Sequence, residues 1–148
     1  MTRIHLASGL AIQSGAVLLV ASSYASHAKP LWNLPGGRQQ HGELLEETVA
    51  REVHEETGLT ASVLRLAYVS ESYDGDTHVL SAIFEIETSG MIRAPQADDH
   101  VVETQWCPLD ELPSRLEVAV VREPLLTYLR DRTQYFGVHD AGITIRWD

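Results

Sequence analysis

The sequence is poor in cysteine and in basic residues. Cys107 is the only cysteine among 148 residues, so a disulfide within the chain is excluded. It lies between Trp106 and Pro108, without an activating base nearby, and we interpret it as a packed strand residue. Lysine and arginine number 11 against 21 aspartate and glutamate, for a formal net charge of -10. That balance argues against a nucleic-acid partner, because phosphate backbones are bound by basic surfaces.

Long apolar runs are also missing. No run reaches the ~18 residues of a membrane-spanning helix, and residues 1–14 lack the charged start and sustained apolar core of a signal peptide. We therefore expect a cytoplasmic protein without a membrane partner. The length and the hydrophobic content of 44% suit a single domain over residues 1–148.

Residues 37–59 contain the most informative pattern in the sequence, a group of closely spaced glutamates between glycines. A helix over residues 44–57 would place Glu52, Glu55 and Glu56 at i, i+3 and i+4, on one face. Like charges at this spacing destabilise an isolated helix, so we expect a cation to offset them. Mg²⁺ and Mn²⁺ prefer carboxylate, carbonyl and water oxygens, which makes them the predicted cofactors.

The same segment matches a known motif without a gap or substitution. The motif is the Nudix box, Gly-x5-Glu-x7-Arg-Glu-U-x-Glu-Glu-x-Gly-U, with U an aliphatic residue. The matching positions are Gly37, Glu43 and residues 51–59, and residues 31–36 resemble the lead-in. The chain thus resembles the Nudix (MutT-like) hydrolase family over about residues 4–132. This resemblance implies an α/β fold, namely an α/β/α sandwich with a mixed sheet between helices, and an enzyme that hydrolyses phosphorus-containing anhydrides.

The resemblance also implies which residues bind the metal. Glu52, Glu55 and Glu56 are similar to the metal-binding glutamates of the family. Gly36 is similar to the loop residue whose main-chain carbonyl is a further ligand, and glycine there lets the backbone turn toward a cation. These four residues are the predicted metal ligands.

Hydrolysis further needs a group that accepts a proton from the attacking water. Family members carry this base on the box helix or on a later segment, so Glu52 is one candidate. Glu103 is the other, because residues 103–106 resemble the Glu-x-x-Trp-like segment of the family; an outward position on an alternating strand is the alternative. Arg51 lies one turn from both Glu47 and Glu55 and can pair with either. The resemblance also implies that Arg51 orients a carboxylate, and Glu43 is a further candidate partner.

Substrate contacts are less constrained, because the box acts only on the diphosphate. Tyr24 and Trp32 are candidates to stack on a base, with core packing as the alternative for Trp32. Arg38 is a candidate to bind a phosphate. Two further loops hold polar residues that either reach the site or form solvated turns: Asp74, Asp76 and His78 in one, and Arg93, Asp98, Asp99 and His100 in the other.

The favoured function is metal-dependent hydrolysis of the pyrophosphate linkage of a nucleoside diphosphate derivative, such as ADP-ribose or a nucleotide sugar. Nucleoside triphosphates, including oxidised ones, are the alternative substrates. A catalytically silent nucleotide sensor is disfavoured by the intact carboxylate set. An isopentenyl diphosphate isomerase is disfavoured because no cysteine is clearly placed for that role, and an RNA-decapping hydrolase by the acidic charge.

Apolar patterns outside the box predict the remaining elements. They predict a hairpin from residues 7–12 and 16–21, strands at 62–72, 78–88 and 101–106, a short helical turn at 109–112, and a helix over 122–132 with Pro124 near its start. Residues 136–139 and 143–147 flank an Asp-Ala-Gly turn. They predict a hairpin in the extension 133–148, which packs on the core or on the second subunit of a homodimer; edge-strand packing is the alternative.

Overall fold

The computed structural model describes residues 1–95 and 100–143. The strands are β1 (Thr2–Gln13), β2 (Ala16–Ser22), β3 (Leu31–Asn33), β4 (Gly36–Arg38), β5 (Thr60–Asp74), β6 (Thr77–Ser89), β7 (Val101–Pro108) and β8 (Tyr135–Val138). The helices are α1 (Leu45–Thr57), α2 (Leu112–Arg115) and α3 (Ala119–Asp131), and a 3-10 turn, Leu109–Glu111, precedes α2. None of these helices is long and apolar enough to span a membrane.

The strands form one mixed sheet in the order β3-β2-β1-β6-β5-β8, with β4 paired to β1 and β7 paired to β2. The predicted hairpin of β1 and β2 is present, with Ile12 opposite Val17. Strands β5 and β6 form a second antiparallel pair, whereas β1 and β6 run parallel. A parallel pair requires a long crossover, and the connection between β1 and β6 includes α1.

The sheet is covered by helices on both faces. On one face, Val49 and Val53 of α1 are completely buried against a cluster that includes Phe84 of β6. On the other, Leu112 of α2 and Leu125 of α3 are equally buried. Each helix contributes one apolar face and leaves the opposite one to solvent. The predicted α/β/α sandwich is therefore confirmed.

Helix α1 begins and ends where the sequence predicts, within one residue. The Leu44 N–H donates to Glu47 Oε1 at 2.8 Å, which satisfies one of the unpaired donors at a helix start. At the other end, Gly58 has φ +82° and its N–H donates to the His54 carbonyl at 2.9 Å. A left-handed residue at this position favours glycine. These two ends fix the length of the helix that carries Glu52, Glu55 and Glu56.

Helix α3 differs from the prediction at its start. It begins at Ala119, three residues before the predicted residue 122, and Pro124 lies inside the helix. Proline at such a position removes the hydrogen bond to the carbonyl four residues earlier, and its ring crowds that carbonyl. The completely buried Leu125 directly after it anchors this part of α3 in the core. Packing therefore outweighs the preference of proline for the first turn of a helix, on which the predicted start at residue 122 was based.

The tail adds a strand to the edge of the sheet. Strand β8 runs parallel to β5, with Val69 opposite Tyr135. The Phe136 ring packs edge-on against Tyr68 at 5.6 Å between centroids. The first arm of the predicted hairpin thus pairs with β5, as in the edge-strand alternative. The second arm, residues 143–147, lies outside the described residues apart from Ile143.

Candidate active site

A cavity of about 500 Å³ lies on the face of the sheet that packs against α3. Its floor is formed by β1, β6 and β5, and its walls by residues 22–25, the start of α3, and Ala141 and Ile143 of the tail. Its mouth is lined by Gly36, Gly37, Arg38, Glu52, Glu56 and His100. Two of the glutamates in the predicted motif therefore face a space of the size typical for small-molecule sites.

Arg51 organises the acidic side chains at this mouth. Its Nε and Nη2 donate to the two oxygens of Glu43 at 2.6 and 3.0 Å. Its Nη1 donates to Glu52 Oε1 at 2.8 Å, and Nη2 also reaches the Arg38 carbonyl at 3.1 Å. The guanidinium plane thus ties α1 to β4 and fixes the Glu52 carboxylate. The expected pairing of Arg51 with Glu43 is present.

Glu43 is held in its charged form. Its carboxylate accepts hydrogen bonds from Arg51, from the Gln40 N–H at 2.9 Å and from the Thr48 hydroxyl at 3.0 Å. These bonds, that of Arg51 above all, lower the pKa of Glu43 to about 2. Glu43 therefore keeps Arg51 in place as a structural partner of the site.

Glu56 is the most deeply buried carboxylate at the mouth, with 4% of its side chain exposed. Its Oε1 accepts the Gly36 N–H at 2.8 Å, and its Oε2 lies 3.1 Å from His100 Nε2. Burial raises the pKa of Glu56, and the hydrogen bond from His100 opposes that rise. This carboxylate links the helix to the glycine loop.

Glu52 lies beside Glu56 and packs directly on Gly37. A Cβ atom added at Gly37 would lie 2.5 Å from Glu52 Cδ and 2.6 Å from its Oε1. Position 37 must therefore lack a side chain for the carboxylate to take this place. Burial raises the pKa of Glu52, opposed by the hydrogen bond and charge of Arg51. A carboxylate with a raised pKa is suited to accept a proton.

Glu55 departs from the predicted cluster of three. Its side chain is 55% exposed and approaches Arg51 Nη1 at 3.3 Å. Glu55 and Glu56 are consecutive and thus ~100° apart around the helix, so they flank Glu52 on opposite sides. Glu56 turns toward the sheet and Glu55 toward solvent. Within residues 1–95 and 100–143, no three His, Cys, Asp or Glu side chains converge on one point.

The residues at the mouth nevertheless fit a hard divalent cation. Glu52 and Glu56 present carboxylate oxygens next to a glycine loop, and burial is the main cause of the raised pKa of each. Mg²⁺ usually binds one or two protein carboxylates and completes its coordination with water and substrate phosphates. The carboxylates of Glu52 and Glu56 therefore suit a Mg²⁺ ion whose other ligands are water and substrate phosphates.

The predicted substrate residues separate into two groups. Tyr24 and Arg38 line the cavity; the Tyr24 hydroxyl bonds to Ser22, and burial raises the pKa of Tyr24. Trp32 does not line it. Its ring packs on the core under α2 and lies 5.0 Å from the guanidinium of Arg115. Trp32 therefore packs on the core, which was the alternative to stacking on a base.

Glu103 also lies away from the cavity. It is exposed on β7, opposite Ala21, and accepts a hydrogen bond from Gln105. Glu103 therefore occupies an outward position on the strand, which was the alternative to a role as the base. The residue that reaches the mouth from this part of the chain is His100, just before β7, whose carbonyl accepts the Ser23 N–H at 2.7 Å. Asp98 and Asp99 lie outside the described residues.

Sequence reasoning placed His100 in a loop but did not connect it with Glu56. The two residues are 44 positions apart, and no periodicity relates a loop residue to a helix at that distance. The only signal in the sequence was that this loop contains several polar residues, which could reach the site or form a solvated turn. The contact arises because the pairing of β7 with β2 brings the loop beside the end of β2.

Comparison with known proteins gives relatives of several activities. An ADP-ribose pyrophosphatase of Methanocaldococcus jannaschii is 39% identical over 57% of this chain and 50% of the relative. An oxidized purine nucleoside triphosphate hydrolase of Danio rerio is 30% identical over 70% of this chain and 65% of the relative. The chain spans less than two thirds of the length of each of these curated relatives.

Solved structures share the fold and a family model covers most of the chain. The MutT protein of Methanosarcina mazei superposes with a TM-score of 0.74 at 26% identity, over 90% of this chain and 97% of that one. A mutator MutT protein of Bacillus halodurans gives a TM-score of 0.78 at 20% identity, over 96% and 94% of the two chains. The model of the NUDIX domain matches residues 4–129. The chain therefore belongs to the Nudix family.

Proposed function

We propose that the chain is a metal-dependent hydrolase that cleaves the pyrophosphate linkage of a nucleoside diphosphate derivative. The observation that carries the proposal is the meeting of Glu52 and Glu56 with the Gly36 loop at the mouth of the cavity. Mg²⁺ or Mn²⁺ is the proposed cofactor. A cytoplasmic location, a single domain over residues 1–148 and a homodimer remain predictions.

Glu56, Glu52 and the Gly36 carbonyl would hold the cation, and Glu55 would join them by leaving Arg51. A bound divalent cation supplies charge neutralisation of the diphosphate and polarises the attacking water. Glu52 is the proposed base, because it is buried at the mouth whereas Glu103 lies outside the cavity. Arg51 keeps the Glu52 carboxylate aimed at the mouth through the 2.8 Å hydrogen bond.

Two substrate classes are supported to different degrees. ADP-ribose and nucleotide sugars are the first choice, since the relative from Methanocaldococcus jannaschii is an ADP-ribose pyrophosphatase. Nucleoside triphosphates are the second candidate, because the relative from Danio rerio is an oxidized purine nucleoside triphosphate hydrolase. Arg38 at the mouth is the proposed phosphate contact and Tyr24 the proposed base contact in either case.

The test is a panel of nucleotide sugars, ADP-ribose and nucleoside triphosphates, assayed with Mg²⁺ and with Mn²⁺. Glu56→Gln should lower kcat by about 10²-fold or more, because it removes a preorganised charge from the site. It should also weaken Mn²⁺ binding measured by electron paramagnetic resonance. Glu46→Gln is the matched control, since this glutamate is exposed on the same helix. Near-normal turnover by Glu56→Gln at saturating metal would refute the proposed site.

A further inference from the structure

The tail of the chain forms a wall of the cavity away from the mouth. Of the described tail residues, Ala141 and Ile143 line this cavity. The mouth lies beside β4, which pairs with β1, whereas the tail follows β8 along the outer edge of β5. Strands β1 and β5 are separated by β6, so the distance between them is ~10 Å. The cavity therefore has one end at the glutamates and another at the tail.

Three contacts anchor the tail to β5. Strand β8 pairs with β5 as far as Val138, and the Ala141 N–H donates to the Tyr73 carbonyl at 2.9 Å. Between these two points, the His139 ring stacks on the Tyr73 ring at 6.3 Å between centroids. The Tyr73 ring also stacks on His78 of β6 at 4.7 Å. Tyr73 thus connects the tail to the sheet through both its backbone and its side chain.

The wall has open space on a second side. Ala141 also lines a second cavity, of about 470 Å³, between α3 and β8. Close packing on every side normally holds a core residue in place, whereas Ala141 faces two open spaces. The position of the wall therefore depends on the contacts that the tail makes with Tyr73.

The contacts proposed for the other parts of the substrate lie toward the mouth. Glu52, Glu56 and Arg38 line the mouth itself. Tyr24, the proposed base contact, lies near Glu56. The diphosphate and the base are thus both accounted for at this end. The tail end of the same cavity is the space that remains for the group on the other phosphate.

We propose that Ala141 and Ile143 are specificity-determining residues that contact the group attached to the second phosphate, and that Tyr73 is a positioning residue that holds them there. This inference rests on the proposed function, because the diphosphate must lie at the mouth. An apolar wall discriminates by fit, and a difference of one methylene in such a contact changes binding by about tenfold or more. A compound that ends at the diphosphate does not reach the wall.

The test compares ADP-ribose with ADP, which has the same base and diphosphate but no group beyond them. For each variant, kcat and KM are measured for ADP-ribose and the inhibition constant is measured for ADP. Ile143→Ala should raise KM for ADP-ribose about tenfold. It should leave kcat and the inhibition constant of ADP within about twofold of wild type, because only the contact with the second group is lost.

Val138→Ala is the matched control for this change. Val138 is a branched apolar residue of the same tail, and it lines the second cavity but not the first. All three constants of Val138→Ala should therefore equal those of the wild type.

Tyr73→Leu tests the positioning role. The change removes the ring that stacks on His139 and keeps the carbonyl that accepts the Ala141 N–H. KM for ADP-ribose should rise by about three- to tenfold, which corresponds to the loss of one aromatic pair, while the inhibition constant of ADP stays unchanged. Tyr73→Phe keeps the ring and should retain the wild-type KM.

Equal rises in KM for ADP-ribose and in the inhibition constant of ADP would indicate a general structural effect and overturn the inference, as would an unchanged KM in Ile143→Ala. A Tyr73→Phe variant as impaired as Tyr73→Leu would overturn the positioning role. Hydrolysis of nucleoside triphosphates, with no cleavage of ADP-ribose or of a nucleotide sugar, would overturn this inference alone. Failure of the wild type to cleave any diphosphate-containing substrate would overturn the proposed function as well.

Discussion

Gly37 lies so close to the Glu52 carboxylate that a single methyl group there tests the proposed base. In a Gly37→Ala variant the new Cβ would lie 2.5 Å from Glu52 Cδ. Ordinary carbon contacts begin near 3.5 Å, so the carboxylate must move by roughly 1 Å. Gly37 is not among the glycines with positive φ. Alanine therefore adopts the backbone without strain, and the change acts on the carboxylate alone.

The magnitude follows from the displacement. A misplacement of about 1 Å in a catalytic group costs on the order of 10²-fold in rate. We expect kcat of Gly37→Ala to fall by that factor while the free energy of unfolding in urea changes by less than about 1 kcal/mol. Gly36→Ala provides the contrast, because its Cβ would lie 2.4 Å from the Ala7 carbonyl. Backbone cannot yield as a side chain does, so this variant should lose stability as well as activity.

The decisive measurement is a double-variant cycle. If Gly37→Ala acts by displacing Glu52, it should cost little further activity in a Glu52→Gln background, since the displaced group is already disabled. Single-turnover assays at saturating Mn²⁺ separate the chemical step from metal affinity. Wild-type kcat in Gly37→Ala, or losses that simply multiply in the double variant, would refute the assignment of Glu52.

Two other expectations concern the competing base and the core. Glu103→Gln should keep kcat within about twofold of wild type, because its carboxylate lies outside the cavity, whereas Glu52→Gln should lose about 10²-fold or more; the reverse order in one assay would restore Glu103 as the base. Leu125→Ala should lower the free energy of unfolding by about 2–5 kcal/mol in urea titrations, since Leu125 is completely buried. The control Leu64→Ala, at a side chain 47% exposed, should change it by less than about 0.5 kcal/mol.

Helix α1 could be predicted almost to the residue because its signals are local. The i, i+3, i+4 spacing of the glutamates and Gly58 as terminator all lie within residues 37–59. The pairing of Arg51 with Glu43 also follows from this segment. Local spacing did not distinguish Glu55 from Glu56, because their difference depends on which side of the helix meets the sheet.

Elements determined by distant contacts were predicted less well. Strand β8 pairs with β5, and nothing in its own residues identifies that partner. Helix α3 begins at Ala119 rather than at residue 122, and it tolerates Pro124 in its interior because Leu125 and Tyr128 are buried against the rest of the core. In both cases the deciding interaction joins residues far apart in sequence.

The same distinction explains why the chemistry could be predicted and the substrate could not. The proposed metal ligands and base come from one continuous stretch, whose spacing is visible in the sequence. The residues that form the floor of the cavity come from separate strands that only the β1-β6-β5 pairing places side by side. Asp74 illustrates the point: in sequence it resembles a turn aspartate like Asp76, and only the alternation of β5 turns it toward the cavity. We therefore expect substitutions at the cavity-lining positions of β5 and β6 to change substrate preference while the glutamates at the mouth stay in place.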